Sequence, residues 1–197
     1  NLGSTVKPGD IKYRDVNGDG KIDGSDQVMI SPYGTTPRIQ YGLGMNVTYK
    51  KFDFGVFFNG SAKRTIMISG ISPFGQSDYN VMQFIADDYW SESNPNPNAK
   101  YPTYVWADQL GKRNYCRSSS MFAYNGNYIA LRELSLSYKL PSILVQKAKL
   151  SNVELSITGQ NLGYLTEAKH LFSPEKADNN GGYPLPRTVI FGINVSF

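Results

Sequence analysis

The chain has 197 residues, with 20 basic and 16 acidic side chains and a formal net charge of +4. The charge is mild and scattered, which leaves no nucleic-acid footprint. A single cysteine, Cys116, and a single histidine, His170, rule out an internal disulfide, a cysteine-based zinc site and a redox pair.

Fourteen Tyr, 10 Phe and 19 Gly favour strands and turns over helices. No stretch approaches the ~18 apolar residues of a transmembrane helix. That excludes helical spans alone, because barrel strands alternate and escape a hydropathy window. The chain opens NLGSTVKPGD, without Met or a signal peptide, and reads as an internal start.

The first motif is DVNGDGKIDGSD, residues 15–26. Hard cations take oxygen ligands, and alternate positions of a tightly turning loop point inward. Asp15, Asn17 and Asp19 match positions one, three and five of an EF-hand-type loop, with Gly20 at six. Lys21 would offer its carbonyl at seven, Asp23 falls at nine, and Asp26 stands where an EF-hand has a bidentate Glu. The expectation is a structural Ca²⁺ bracing a loop; the alternative is an ion-free Asn/Asp/Gly turn. Flanking helices are not evident, and a second such loop is absent.

Five segments then alternate with period two. Residues 38–49 place Ile39, Tyr41, Leu43, Met45, Val47 and Tyr49 on one face. Residues 52–62 follow after only Lys50 and Lys51, a tight hairpin, with Phe52, Phe54, Val56 and Phe58 in phase. The long segment 63–126 carries Val81, Phe84, Ile85 and Tyr89 at helical spacing, with Ser77 or Asp78 as N-cap and NPNP at 94–97 as the stop. Residues 127–140 form a third strand. Leu134, Leu136 and Tyr138 keep one phase while Ile129 and Leu131 have the other, which predicts a bulge near Glu133. Residues 151–163 set Val153, Leu155 and Ile157 against Glu154, Ser156 and Thr158, and residues 187–197 run Val189, Phe191, Ile193, Val195, Phe197.

Short connections (50–51 and 141–150) alternate with long ones (63–126 and 164–186), as in an outer-membrane barrel. About eleven residues at ~3.3 Å each, tilted by ~40°, climb roughly 28 Å, enough for the ~25 Å apolar band of such barrels. Aromatics near strand ends, at Tyr41, Tyr49, Phe52, Tyr128, Tyr138 and Phe197, suit interfacial girdles. The opposite faces carry the Gly, Asn, Ser, Thr and Gln of a wet lumen. The fold class is therefore all-β: about five C-terminal strands of a large antiparallel transmembrane β-barrel with long extracellular loops. Residues 1–37, 63–126 and 164–186 would lie outside and the short turns in the periplasm. Five strands cannot close in lipid, so further strands are required. A secreted, calcium-stabilised β-sandwich that binds glycan or an adhesion partner is the other architecture the alternation permits.

KPGDIKYRDVNGDGKIDGSDQVMI, TPRIQYGLGMNVTYKKFDFGVFFNGS, DDYWSESNPNPNAKYPTY, GNYIALRELSLSYKLP, VELSITGQNLGYLT and YPLPRTVIFGINVSF occur in the order found in the SusC/RagA family. Together they make the chain resemble the C-terminal third of these TonB-linked outer-membrane transporters. The resemblance implies a plugged barrel of the ~22-stranded class in the bacterial outer membrane. It also implies a SusD-like surface lipoprotein as lid, TonB acting through an N-terminal region, and import of oligosaccharides or peptides. The plug and the remaining strands would precede this segment. Phe197 falls where outer-membrane proteins carry the terminal aromatic read by the barrel-assembly machinery. Cys116, in RNYCRSSS, matches none of the family's motifs.

Tyr89, Trp90, Tyr101, Tyr104 and Trp106 in the long loop are substrate-stacking candidates, or else pack a small core of that loop or the lid. No acid–base constellation accompanies His170, and Asp and Glu lie mostly in loops with no pairing evident from the sequence, so no enzymatic role is expected.

Overall fold

The computed structural model describes residues 6–67, 83–103, 119–168, 173–175 and 185–197. The strands are β1 (Ile39–Tyr49), β2 (Phe52–Ala62), β3 (Thr65–Met67), β4 (Ala123–Asn125), β5 (Tyr128–Lys139), β6 (Asn152–Thr166) and β7 (Thr188–Ser196). Two short helices join them, α1 (Gln83–Ala86) and α2 (Ser142–Lys147). One compact unit is built on the five-stranded sheet, and the other on residues before β1 and in the long β2–β5 connection.

The sheet runs β1-β2-β5-β6-β7, antiparallel throughout. Each strand lies beside its neighbours in the order of the long alternating segments, an up-and-down meander. The β1–β2 turn is as tight as its two lysines predict. Tyr49 pairs directly with Phe52, and Lys50 takes the left-handed conformation at φ +56°.

Because the side-chain period is two, register decides which residues share a face. Here it assembles continuous apolar rows across all five strands. Val47 stands opposite Phe54, Phe54 opposite Leu136, Leu136 opposite Ile157 and Ile157 opposite Phe191. One rung nearer the short turns, Tyr49, Phe52, Tyr138, Leu155 and Ile193 form a second row. The Phe52 and Tyr138 rings meet at 4.6 Å, a cross-strand aromatic pair.

This face is bare. Leu43 is 70% exposed, Ile193 73% and Phe191 78%, and no second sheet covers it among the described residues. A soluble sandwich would bury these rows against a partner sheet. That requirement is unmet, and the architecture is that of a barrel wall seen without its neighbours. β1 and β7 form its two open edges.

On the wall's apolar side Tyr41 lies across from Gly60, and its hydroxyl donates to the Tyr128 carbonyl at 2.9 Å. A Cβ at position 60 would collide with both the tyrosine ring and that carbonyl, so glycine there is a steric requirement.

The bulge expected near Glu133 is present. β5 skips from Leu131 to Glu133 in its pairing with both neighbours, leaving Arg132 as the extra residue. On the other side β6 skips Asn161 and Leu162, and Asn161 sits at φ +54°.

The bulge corrects one expectation. Tyr128 shares parity with Tyr138, yet it pairs with Ser61 beyond the slip and so faces inward, while Ile129 and Leu131 face the apolar side. Tyr128 is therefore a lumen-side residue and not part of a girdle; its ring meets Tyr164 edge-on at 6.1 Å.

The expected helix in the long connection is present among the described residues. It spans Gln83–Ala86 and buries Ile85, and Tyr89 lies beyond it, bridged to Tyr101. Ser77, Asp78 and Val81 lie outside the described residues.

If the bare face meets hydrocarbon, Leu134→Arg near mid-strand should lower folding stability in bilayers by roughly 2–4 kcal/mol. Asn194→Lys, on the opposite face of β7, should stay within about 0.5 kcal/mol. Denaturant titration of the full-length protein in lipid vesicles reads both.

Candidate functional site

The acidic loop folds as a chain of Asx turns. The two carboxylate oxygens of Asp15 accept the Gly18 and Gly20 amides at 2.7 and 2.8 Å. Asn17 Oδ1 accepts the Asp19 amide, and Asp19 Oδ1 accepts the Lys21 amide. Asp23 caps the short 3-10 turn Gly24–Asp26 by accepting from Ser25. Asp26 accepts the amides of Val16 and Asp23, each at 2.8 Å, tying the loop's last position to its second. These bonds hold the Asp26 carboxyl below the usual carboxylate range, the Asp23 amide contributing most and the Val16 amide next.

Gly18 and Gly20, at φ +76° and +77°, supply the left-handed turns the path needs. All the side-chain donors are hard oxygens, the chemistry a Ca²⁺ site requires. Among the described residues, however, no three His, Cys, Asp or Glu side chains stand together closely enough to hold an ion between them.

The aromatic candidates divide. Tyr101 is 4% exposed, a core residue beside Phe84, and burial raises its hydroxyl pKa. Trp90 is half-buried; its ring lies against Gly9, and the Gly9 carbonyl accepts the Thr103 amide at 2.8 Å. Tyr89 is also half-buried. Tyr104, Trp106, Cys116 and His170 lie outside the described residues. Phe197 is 94% exposed.

The most developed polar constellation is one that alternation did not announce. At the bulge, Arg132 donates from Nη2 to Glu175 Oε1 at 2.5 Å and to Asn59 Oδ1 at 3.1 Å, and from Nη1 to Asn161 Oδ1 at 2.7 Å. Tyr164 donates its hydroxyl to the same Glu175 oxygen at 2.8 Å. Asn59, Ala130 and Tyr164 lie on one rung of the inner face. The only sequence signal for this group was the parity change around Glu133.

No family profile matches the chain. TonB-dependent receptor P3 of Formosa agariphila is 29% identical over 210 residues, covering 100% of this chain and 20% of the relative. TonB-dependent receptor P26 of the same organism is 26% identical over 204 residues, covering 96% and 20%. The chain thus spans about a fifth of the length of the curated relatives it matches. Among solved structures, the RagAB peptide importer in its closed-closed state superposes with a TM-score of 0.63 at 20% identity, over 91% of this chain and 20% of that one. The open-open state gives 0.56 at 18% identity, over 84% and 18%. At that identity the likeness speaks for the fold.

Two outcomes are expected for the acidic loop. Its Asp26 bonds add stability above the ~3.9 of a free aspartate, and that contribution disappears as pH falls through the lower folded value. NMR titration of labelled Asp26 should therefore give a midpoint below that of free aspartate, and Asp26→Asn should remove this part of the loop's acid sensitivity. Gly20→Ala should destabilise the loop by ~1–2 kcal/mol through backbone strain alone, read as faster limited proteolysis, since open space surrounds the position.

Proposed function

We propose that this chain, homologous to TonB-dependent receptors of the SusC/RagA type and thereby an outer-membrane protein and not an enzyme, is the C-terminal wall of a nutrient importer. The observation that carries the reading is the bare apolar face of five paired strands. Lipid would cover that face, and further strands would close the edges. Residues 1–37, 63–126 and 164–186 would form external loops, with the short turns in the periplasm.

The complete importer would carry a plug and a TonB-contacting segment elsewhere in its chain. It would work with a SusD-like surface lipoprotein as its lid. RagAB is a peptide importer; by that likeness, and by the aromatic-rich long loop, the cargo is a peptide or an oligosaccharide. Tyr89, Trp90, Tyr104 and Trp106 would supply flat faces for cargo or lid. The exposed Phe197 would present the final strand to the barrel-assembly machinery.

The loop at residues 15–26 would hold a structural Ca²⁺ through Asp15, Asn17, Asp19, Asp23, Asp26 and the carbonyl of Lys21. Bound there, the ion would brace an external loop. What supports this is the oxygen-only donor set and the turn geometry already set by the glycines.

Full-length protein should fractionate with the outer membrane, and uptake of labelled peptides or oligosaccharides should fall to the diffusive background when TonB is deleted. Recovery in the soluble fraction, or uptake indifferent to TonB, would refute the importer. For the loop, a Ca²⁺ chelator should lower thermal stability, and Asp15→Ala should abolish that effect. Stability unmoved by chelation would discard the metal.

A further inference from the structure

Ser173–Glu175, in the β6–β7 connection, is held against the inner wall by two arginines. Arg64, between β2 and β3, is 4% exposed and spends its guanidinium on three carbonyls. Nε donates to Thr35 at 2.7 Å, Nη1 to Pro174 at 2.6 Å and Nη2 to Glu175 at 3.0 Å. Arg132 holds the Glu175 carboxylate, which also accepts from Tyr164. Ser173 is 1% exposed, Pro174 is buried, and the Ser173 hydroxyl accepts the Glu175 amide at 3.3 Å. Further along the same connection, Asn161 donates to the Pro186 carbonyl at 3.1 Å.

These anchors come from two strands, β5 and β6, and from the β2–β3 junction. The Arg132–Glu175 pair is about three-quarters buried at both side chains, where a bond to a charged group is worth more than on an open surface. Breaking one partner of such a pair leaves the other unpaired in a partly desolvated site. The bulge has a clear role in this arrangement. Without the extra residue at 132, the residues of β5 on one side of the slip would swap faces.

We propose that Arg132 and Arg64 are positioning residues that clamp Ser173–Glu175 onto the inner wall. This tripeptide is then a fixed part of the lining of the transport path, although it belongs to a connection that alternation assigns to the exterior. The clamp rests on reading the inner face as a barrel lumen; its test does not depend on cargo or on TonB.

The test places Ser173→Cys in the full-length protein carrying Cys116→Ser, in intact outer membranes, and follows labelling by a membrane-impermeant maleimide. With the clamp intact the thiol should label slowly. Glu175→Gln and Arg132→Ala should each accelerate labelling on the order of tenfold, equivalent to ~1.4 kcal/mol in the opening equilibrium. The double variant should label no faster than Glu175→Gln alone, because Arg132 reaches the segment only through that carboxylate. Heat-modifiable gel migration confirms that each barrel is folded. Should Arg132→Ala fail that check, Tyr164→Phe removes only the hydroxyl bond to Glu175 and should give a smaller acceleration. Fast labelling in the unaltered background, rates unmoved by the substitutions, or multiplicative effects of the two variants would each overturn the clamp. None of these outcomes depends on TonB-driven uptake, so failure here is distinct from failure of the importer reading.

Discussion

In hydrocarbon a backbone amide has no water to fall back on, so every strand that crosses must find its partners in other strands. The antiparallel ladder from β1 to β7 meets that demand for three strands fully and for the two outer ones on one side. Everything else about the sheet follows from how those ladders are registered. Pairing Val47 through to Phe191 in one row puts most of the greasy side chains on one surface and Asp53, Asn59, Ser135 and Asn194 on the other, with Phe57 and Ile190 as apolar exceptions there. A soluble sheet of this width would be an aggregation hazard with such a face uncovered. In a membrane the same face is what holds the sheet in place.

The inner surface is organised by exceptions to that regularity. One extra residue in β5 and two in β6 redirect the chain, and the redirected positions carry Arg132 and Asn161. Near the short turns, where pairing is regular, the inner face shows a simpler ladder. Thr48 donates to Asp53 at 2.5 Å, and Lys139 pairs with Asp53 at 3.1 Å. The contrast is physical: regular pleating offers only cross-strand neighbours, whereas a bulge aims a long side chain along the wall, within reach of a loop.

The alternation of segments, the tight Lys50–Lys51 turn and the parity conflict between Leu131 and Leu134 are local properties, readable because strand period and turn chemistry act over a few residues. Ordered motifs, none specific alone, pointed to the homology now seen with the curated receptors. Tyr128 faces inward because the one-residue slip at the bulge reverses the parity that simple alternation carries along β5. Ile85 follows its helical spacing into a buried site, while Tyr89 leaves the helix to pair with Tyr101, a contact between residues a dozen positions apart.

By itself, then, the sequence determined which residues belong together on a face and where the chain must turn, because those depend on neighbours two to four positions away. It also determined the oxygen-rich path of residues 15–26, since Asx turns close within five residues for most of its length. Only the tertiary structure decided that Arg132 meets Glu175, 43 positions away, and that Arg64 reaches carbonyls 110 and 111 positions ahead. Such pairings depend on register and on where one bulge falls, and a single-residue slip would send the same side chains to the opposite side of the wall.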